Sequence, residues 1–147
     1  MALTKVTSNV LNDDAVTTSK IVDVNVTTGK LADDSVTSAK AGSEFTTTSA
    51  LTPGATVALD YTAAQVFTLT PNANTTINIT NPVIGVSKVI IITGAGGSYT
   101  IGYTVGGAAG TFNKISGTYD DTASTKNFIQ ITCVGVTEFW YTCSQIG

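Results

Sequence analysis

The sequence contains no histidine and no arginine among its 147 residues. Without histidine there is no Ser-His-Asp or Cys-His catalysis and no imidazole ligand for a metal. Without arginine there is no bidentate clamp for phosphate. Charge of either sign is scarce: 7 lysines and 10 acidic residues, 12% of the chain, against about 25% in an ordinary soluble domain. A formal net charge of -3 with so little lysine argues against electrostatic binding of nucleic acid. Long apolar runs are missing too. The longest strongly apolar stretch is Val89–Ile92, whereas a membrane helix needs roughly 20 such residues, so neither a bilayer span nor a membrane partner is expected. The opening MALTKVTSNV lacks the apolar core of a secretory signal. The composition predicts a soluble chain with much of its surface covered by a partner.

Aromatic residues are absent from residues 1–44, since all five Phe, all five Tyr and the Trp lie from Phe45 onward. The same 44 residues hold 10 of the 17 charged groups. They can hardly build a core of their own, so a boundary is drawn there: an arm over 1–44 and a globular domain over 45–147.

What the arm does have is a repeat. At a period of ten it reads LNDDAVTTSK, IVDVNVTTGK and LADDSVTSAK, bringing Asp13, Asp23 and Asp33 into phase, and likewise Lys20, Lys30 and Lys40. Apolar residues fall every five positions at Val6, Leu11, Val16, Ile21, Val26, Leu31 and Val36. A step of five matches neither the helix period of 3.6 nor the strand period of 2. It implies short extended pieces or single helical turns. One such thread cannot bury its own apolar row, and repeats of this kind need neighbours. These seven residues are therefore the candidate arm interface, with identical threads or a groove on a partner as the other side. A solvated, unpacked tail is the competing reading of so polar a segment. A pentapeptide solenoid is disfavoured by Thr4, Asn9, Asp14 and Asp34, which stand where small residues belong.

The remainder is rich in residues that favour strands. The chain has 28 Thr and 15 Val, both β-branched, and 14 Gly for turns. Nine strands are expected: 45–51, 56–61, 65–69, 75–80, 88–93, 98–103, 110–115, 127–134 and 138–144. Pro53-Gly54, Pro71-Asn72, Asn81-Pro82 and Gly94-Ala95-Gly96-Gly97 punctuate them. Turn signals about every ten residues suggest an antiparallel β-sandwich or jelly-roll-like domain. The last two strands form a hairpin around Gly135-Val136-Thr137. Its alternation puts Cys133 and Cys143 on the buried face. The register sets Cys133 near Glu138 or Phe139 and Cys143 near Phe128 or Ile129, which is too far apart for a disulfide. Both are read as small buried hydrophobes.

Three patterns suggest chemistry. VIIITGAGGSYTIG (89–102) runs from a strand into Gly94-x-Gly96, as a dinucleotide-binding loop would. Tyr99 stands where a small residue belongs, and SYTIGYTVGG alternates like a strand rather than a phosphate-cradling helix. A Gly-rich hairpin turn fits better. Asp120-Asp121, with Asn127 or Thr122, offers oxygens for a hard cation, but a solvated turn is the commoner use. The domain's carboxylates, Asp60, Asp120, Asp121 and Glu138, carry no glycosidase signature. No catalytic, cofactor-binding or metal residues are nominated, and no enzyme activity is expected. Trp140 and Tyr141, with Tyr119, Tyr99 and Tyr103, offer an aromatic surface for a subunit contact or for a glycan. Subunit contact is preferred, because groups to orient a sugar are few.

The opening MALTKVT resembles the first residues of tailed-bacteriophage tail-spike and fibre proteins. The repeat DDAVTTSKIVDVNVTTGKLADDSVTSAK resembles the D-x-x-V-T-x-x-K-[IL] repeats of phage fibre proteins. The stretch ALTPGATVALDYTAAQVFTLTPNANTTINITNP, leading to TEFWYTCSQIG, resembles a small C-terminal β domain of tail-fibre and capsid-decorating proteins. The resemblance implies a homotrimeric structural protein of the virion, assembled in the bacterial cytoplasm, whose partners are its own copies and other capsid, tail or baseplate proteins. Lacking a long β-helix, a depolymerase domain and a long shaft, the chain fits a short capsid decoration, cement or head-fibre protein. A short tail-fibre or baseplate tip that binds a host surface glycan is the alternative.

Overall fold

A computed structural model describes Thr17, Thr27, Leu31 and residues 35–146. The chain divides into two units, Met1–Thr37 and Ser38–Gly147. Within the first unit none of the described residues is in a helix or a strand. Leu31 and Val36 are 46% and 65% exposed. Val6, Leu11, Val16, Ile21 and Val26 of the apolar row lie outside the described residues.

The second unit opens with a 3-10 turn, Ser38–Lys40, and a single helical turn, α1 (Ser43–Thr46). Nine strands follow: β1 (Thr48–Ala50), β2 (Thr56–Asp60), β3 (Val66–Leu69), β4 (Thr75–Thr80), β5 (Ser87–Thr93), β6 (Ile101–Val105), β7 (Thr111–Ser116), β8 (Lys126–Cys133) and β9 (Glu138–Ile146). They form a six-stranded sheet in the order β1-β3-β5-β8-β9-β7 and a three-stranded sheet in the order β2-β4-β6.

The unit is all-β, and its pairing corrects the antiparallel sandwich or jelly-roll expected from the sequence. Consecutive strands β1 to β6 alternate between the two sheets, and each of β1 to β4 pairs in parallel with the strand two further on. This is a solenoid-like arrangement of three coils. Parallel partners need a crossover of about a dozen residues or more, and here the crossover is a strand of the opposite sheet. The antiparallel pairs are β5 with β8 and β8 with β9. The β8–β9 hairpin thus closes the third coil, and β7 adds in parallel outside β9. The Gly-rich turn after Thr93 is accordingly not a hairpin, because β5 and β6 lie in different sheets; a strand does follow it, as the alternation required.

The register stacks like on like across parallel and antiparallel pairs. In the large sheet Phe67, Ile90, Ile129 and Cys143 are mutual partners across four strands. In the small sheet Val57 pairs Ile77, and Leu59 pairs Ile79, which pairs Val105. All of these are buried and form the core between the sheets. The hairpin register is as the alternation predicts: Cys133 opposes Phe139 and Cys143 opposes Ile129. Both cysteines are free and buried.

One inward residue is a cation. Lys88 shares its face with Ile90 and Ile92 and is buried. Its ammonium donates 2.5 Å to the Glu44 carbonyl and lies 5.8 Å and 5.7 Å from the ring centres of Phe45 and Tyr61. Burial lowers its pKa below the ordinary value, with the Glu44 and Asp60 charges opposing. A lysine with a depressed folded pKa binds fewer protons folded than unfolded, so stability rises with pH up to 10.5, the value of a free lysine. Lys88→Met keeps the volume and removes the desolvated charge together with its hydrogen bond to the Glu44 carbonyl. It should erase this rise, seen as a gap between wild-type and variant urea midpoints that changes as pH increases towards 10.5. The amide of Phe45, which donates to the Gly42 carbonyl, should exchange faster in the variant because α1 has lost its tether.

Candidate functional site: a tyrosine-lined cleft

Six strands face three. The inner faces of β8, β9 and β7 therefore extend past β6, the last strand of the small sheet, and that inner surface needs another cover. Aromatic side chains supply it. Phe112 stacks on Phe139 (5.1 Å between ring centres) and on Tyr103 (5.3 Å), and Tyr103 meets Tyr141 at 5.1 Å. Beyond this stack the sheets part into a cleft of about 260 Å³ lined by Tyr99, Thr100, Ile101, Tyr103, Lys114, Gly117, Thr118, Tyr119, Ile129, Tyr141 and Cys143. Four of the five tyrosines thus converge at one place.

Two loops hold the walls. The Asp121 carboxylate accepts the Tyr119 hydroxyl at 2.6 Å and the backbone N–H groups of Ala95 and Tyr99 at 3.0 and 2.9 Å. Desolvation pushes this carboxyl up, but those hydrogen bonds outweigh it and hold its pKa below the ordinary value. The Gly-rich turn closes onto the same loop: Gly96 N–H donates to the Asp121 carbonyl, and Gly94 N–H to the Thr125 carbonyl. A Cβ on Gly94 would lie 2.2 Å from the Thr122 carbonyl oxygen, so this glycine serves close backbone approach and not a phosphate. Asn127, buried at the base, donates to the carbonyls of Ile92 (3.2 Å) and Asp120 (2.8 Å) and accepts Asp120 N–H at 2.8 Å. Gln145 donates to the Thr118 carbonyl.

One cation, Lys114, lines the cleft, and one carboxylate, Asp121, stands behind its Tyr119 and Tyr99 wall. Burial raises the pKa of Tyr103 and Tyr141; Tyr119 is raised by burial and then by the hydrogen bond and charge of Asp121. All three are protonated donors at neutral pH. The Cys143 thiol is pushed up by burial, against the charge of Lys114. Lys114 Nζ makes one long hydrogen bond, 3.5 Å to Thr118 Oγ1, and pairs with no carboxylate among the described residues.

The site residues expected from the sequence divide here. Tyr119 and Tyr141 meet, with Tyr99 and Tyr103. Trp140 does not join them: it points to the opposite face of β9, 48% exposed, its Nε1 donating 3.0 Å to Glu138 Oε1. Lys114 was missed, although a charge in phase with Phe112 on a strand was a legible signal. The carboxylates of the body act as acceptors. Asp60 caps a turn with Thr62 N–H and Asn81 Nδ2, Asp120 Oδ1 takes Thr122 N–H, and Glu138 takes Asn113 Nδ2. No group of three potential metal ligands occurs among the described residues. No helix among them is long and apolar enough to cross a membrane.

Comparison with protein-family models, curated proteins and solved structures found no match.

Proposed function

We propose that the protein is a non-enzymatic structural component of a tailed-phage virion: a homotrimeric capsid decoration, cement or short head-fibre protein attached through its N-terminal arm. The observation that carries this is the outer face of the six-stranded sheet. Phe128, Trp140 and Ile146 stand 38%, 48% and 68% exposed on it, beside half-buried Val66, Val89 and Ile91. Its charges are confined to Lys126 and Glu138, at opposite ends of the strands. A face that sets these apolar side chains among uncharged Thr, Ser and Gln, with so little charge, is suited to contact with other protein. The in-phase repeat of the arm supplies a second adhesive element, and closed symmetry is the usual outcome for such surfaces. Three-fold closure comes from the likeness to phage fibres.

Sedimentation of the purified chain tests it. The expected mass is three times 15.0 kDa, and Val16→Asp, Val26→Asp and Val36→Asp together should shift the population to lighter species. A monomer at all concentrations would remove the assembly role. The tyrosine cleft favours a second function, a short tail-fibre or baseplate tip contacting the host surface.

A further inference from the structure

We infer that the tyrosine cleft is a binding site for a single acidic pyranose, a uronic-acid residue of a polysaccharide or a glycoside bearing one carboxylate. This goes beyond the assembly role and does not depend on it, because it rests on the cleft alone.

Size comes first. A volume of about 260 Å³ falls just under the roughly 300–1,000 Å³ of pockets for drug-sized ligands, which suits one ring and not a peptide or a nucleotide. Wall chemistry comes second. Tyr103 and Tyr141 line the wall and are held by their contact with each other and by Phe112 stacked on Tyr103, and the Tyr119 ring is fixed through its hydroxyl on Asp121. Rigid aromatic faces pack against the C–H faces of a sugar ring at little entropic cost. The hydroxyls of Tyr103 and Tyr141 make no hydrogen bond within the protein among the described residues, and raised pKa values keep them as donors. Charge comes third. No carboxylate lines the cleft; the nearest, Asp121, lies behind the wall with its oxygens taken up by Tyr119, Ala95 and Tyr99, while Lys114 reaches the cleft with a single weak partner. An unpaired ammonium at the rim of an aromatic site selects an anion. It acts as a point charge and not as a fork, so one carboxylate suffices.

Trp140 gives an internal control, because it is the most exposed aromatic of the sheet yet faces away from the cleft. The test uses the full chain with methyl glucuronide and methyl glucoside as probes. Binding is followed by saturation transfer to the sugar protons and by amide shifts of β6 and β9. The glucuronide should bind, with affinity on the order of millimolar, and more tightly than the glucoside. Lys114→Gln, an exposed change that leaves the fold intact, should weaken the glucuronide roughly three- to tenfold and abolish its advantage over the glucoside. Tyr141→Ala should remove binding of both sugars. Tyr141→Phe, which keeps the ring should the alanine variant misfold, should bind more weakly and stay folded. Trp140→Ala should bind as wild type. Failure of both sugars to bind overturns the inference, as does loss of binding in Trp140→Ala. Equal affinity for the two sugars overturns the acidic selectivity.

Discussion

Gly117→Ala is expected to cost at least about 3 kcal/mol, a large part of the 5–15 kcal/mol typical of a domain. Gly117 follows the register shift between Lys114 and Ser116, where β7 leaves β9. Its φ is +74°, and a Cβ there would lie 1.7 Å from the Cys143 carbonyl oxygen. The left-handed conformation alone costs a non-glycine residue about 1–2 kcal/mol. The overlap with backbone cannot be relieved by a side-chain rotation, so β7 must move off β9. Gly107→Ala separates the two terms: its φ is +80° with nothing within 4 Å, so it should lose about 1–2 kcal/mol and no more. Urea midpoints of the two variants check this. Equal losses would mean that the close approach of Gly117 to β9 does not exist in solution.

The second large effect concerns the phase of the central strand. Ile90→Ala should destabilise the body by about 2–5 kcal/mol, because Ile90 is buried between Phe67 and Ile129 in the middle of the large sheet. Its neighbour Ile91, on the outer face and half-buried, should lose only about 1 kcal/mol or less on truncation to alanine. A one-residue slip of β5 would exchange the two values. Thermal or urea unfolding of both single variants therefore reads the register directly. Oligomerisation through the outer face would raise the cost of Ile91→Ala at high protein concentration, so the comparison belongs at low concentration.

How far these features could be read from the sequence depends on the kind of information each needs. Strands β2 to β9 were legible, because Val, Ile and Thr alternate between turn signals and alternation needs only local neighbours, whereas the expected strand 45–51 is a helical turn to Thr46 and then the short β1. The stretch 75–80 coincides with β4, and the hairpin of β8 and β9 was legible down to the partners of both cysteines, since a short turn fixes register. Which strands pair was not legible. An alternating strand with one wet face reads the same whether its partner is parallel or antiparallel, and the ten-residue spacing that suggests hairpins also suits strands that alternate between two sheets. The cleft was half legible. The tyrosines stood out by residue type, but their convergence follows from unequal sheet sizes, a property of the whole topology. Trp140 and Tyr141, adjacent in sequence, necessarily point apart on a strand. Lys88 falls on the apolar face of its strand and Lys114 in phase with Phe112, and such conflicts between pattern and residue are where local packing or function is to be sought.

The strand order also bears on how the chain is made. Residues 48–105 can stack their three coils as they leave the ribosome, each strand finding its partner in the coil before it. But β5, the last large-sheet strand of that stack, stays an open edge until residues 126–133 have emerged to lie beside it. β7 is made earlier still and has no partner until β9 exists. For that interval the nascent chain shows one open sheet edge and one unpaired strand, the condition most prone to pairing with another chain. Neighbouring nascent copies on one message would then be the nearest available strands, so the time between synthesis of β7 and β9 sets the window for misassembly.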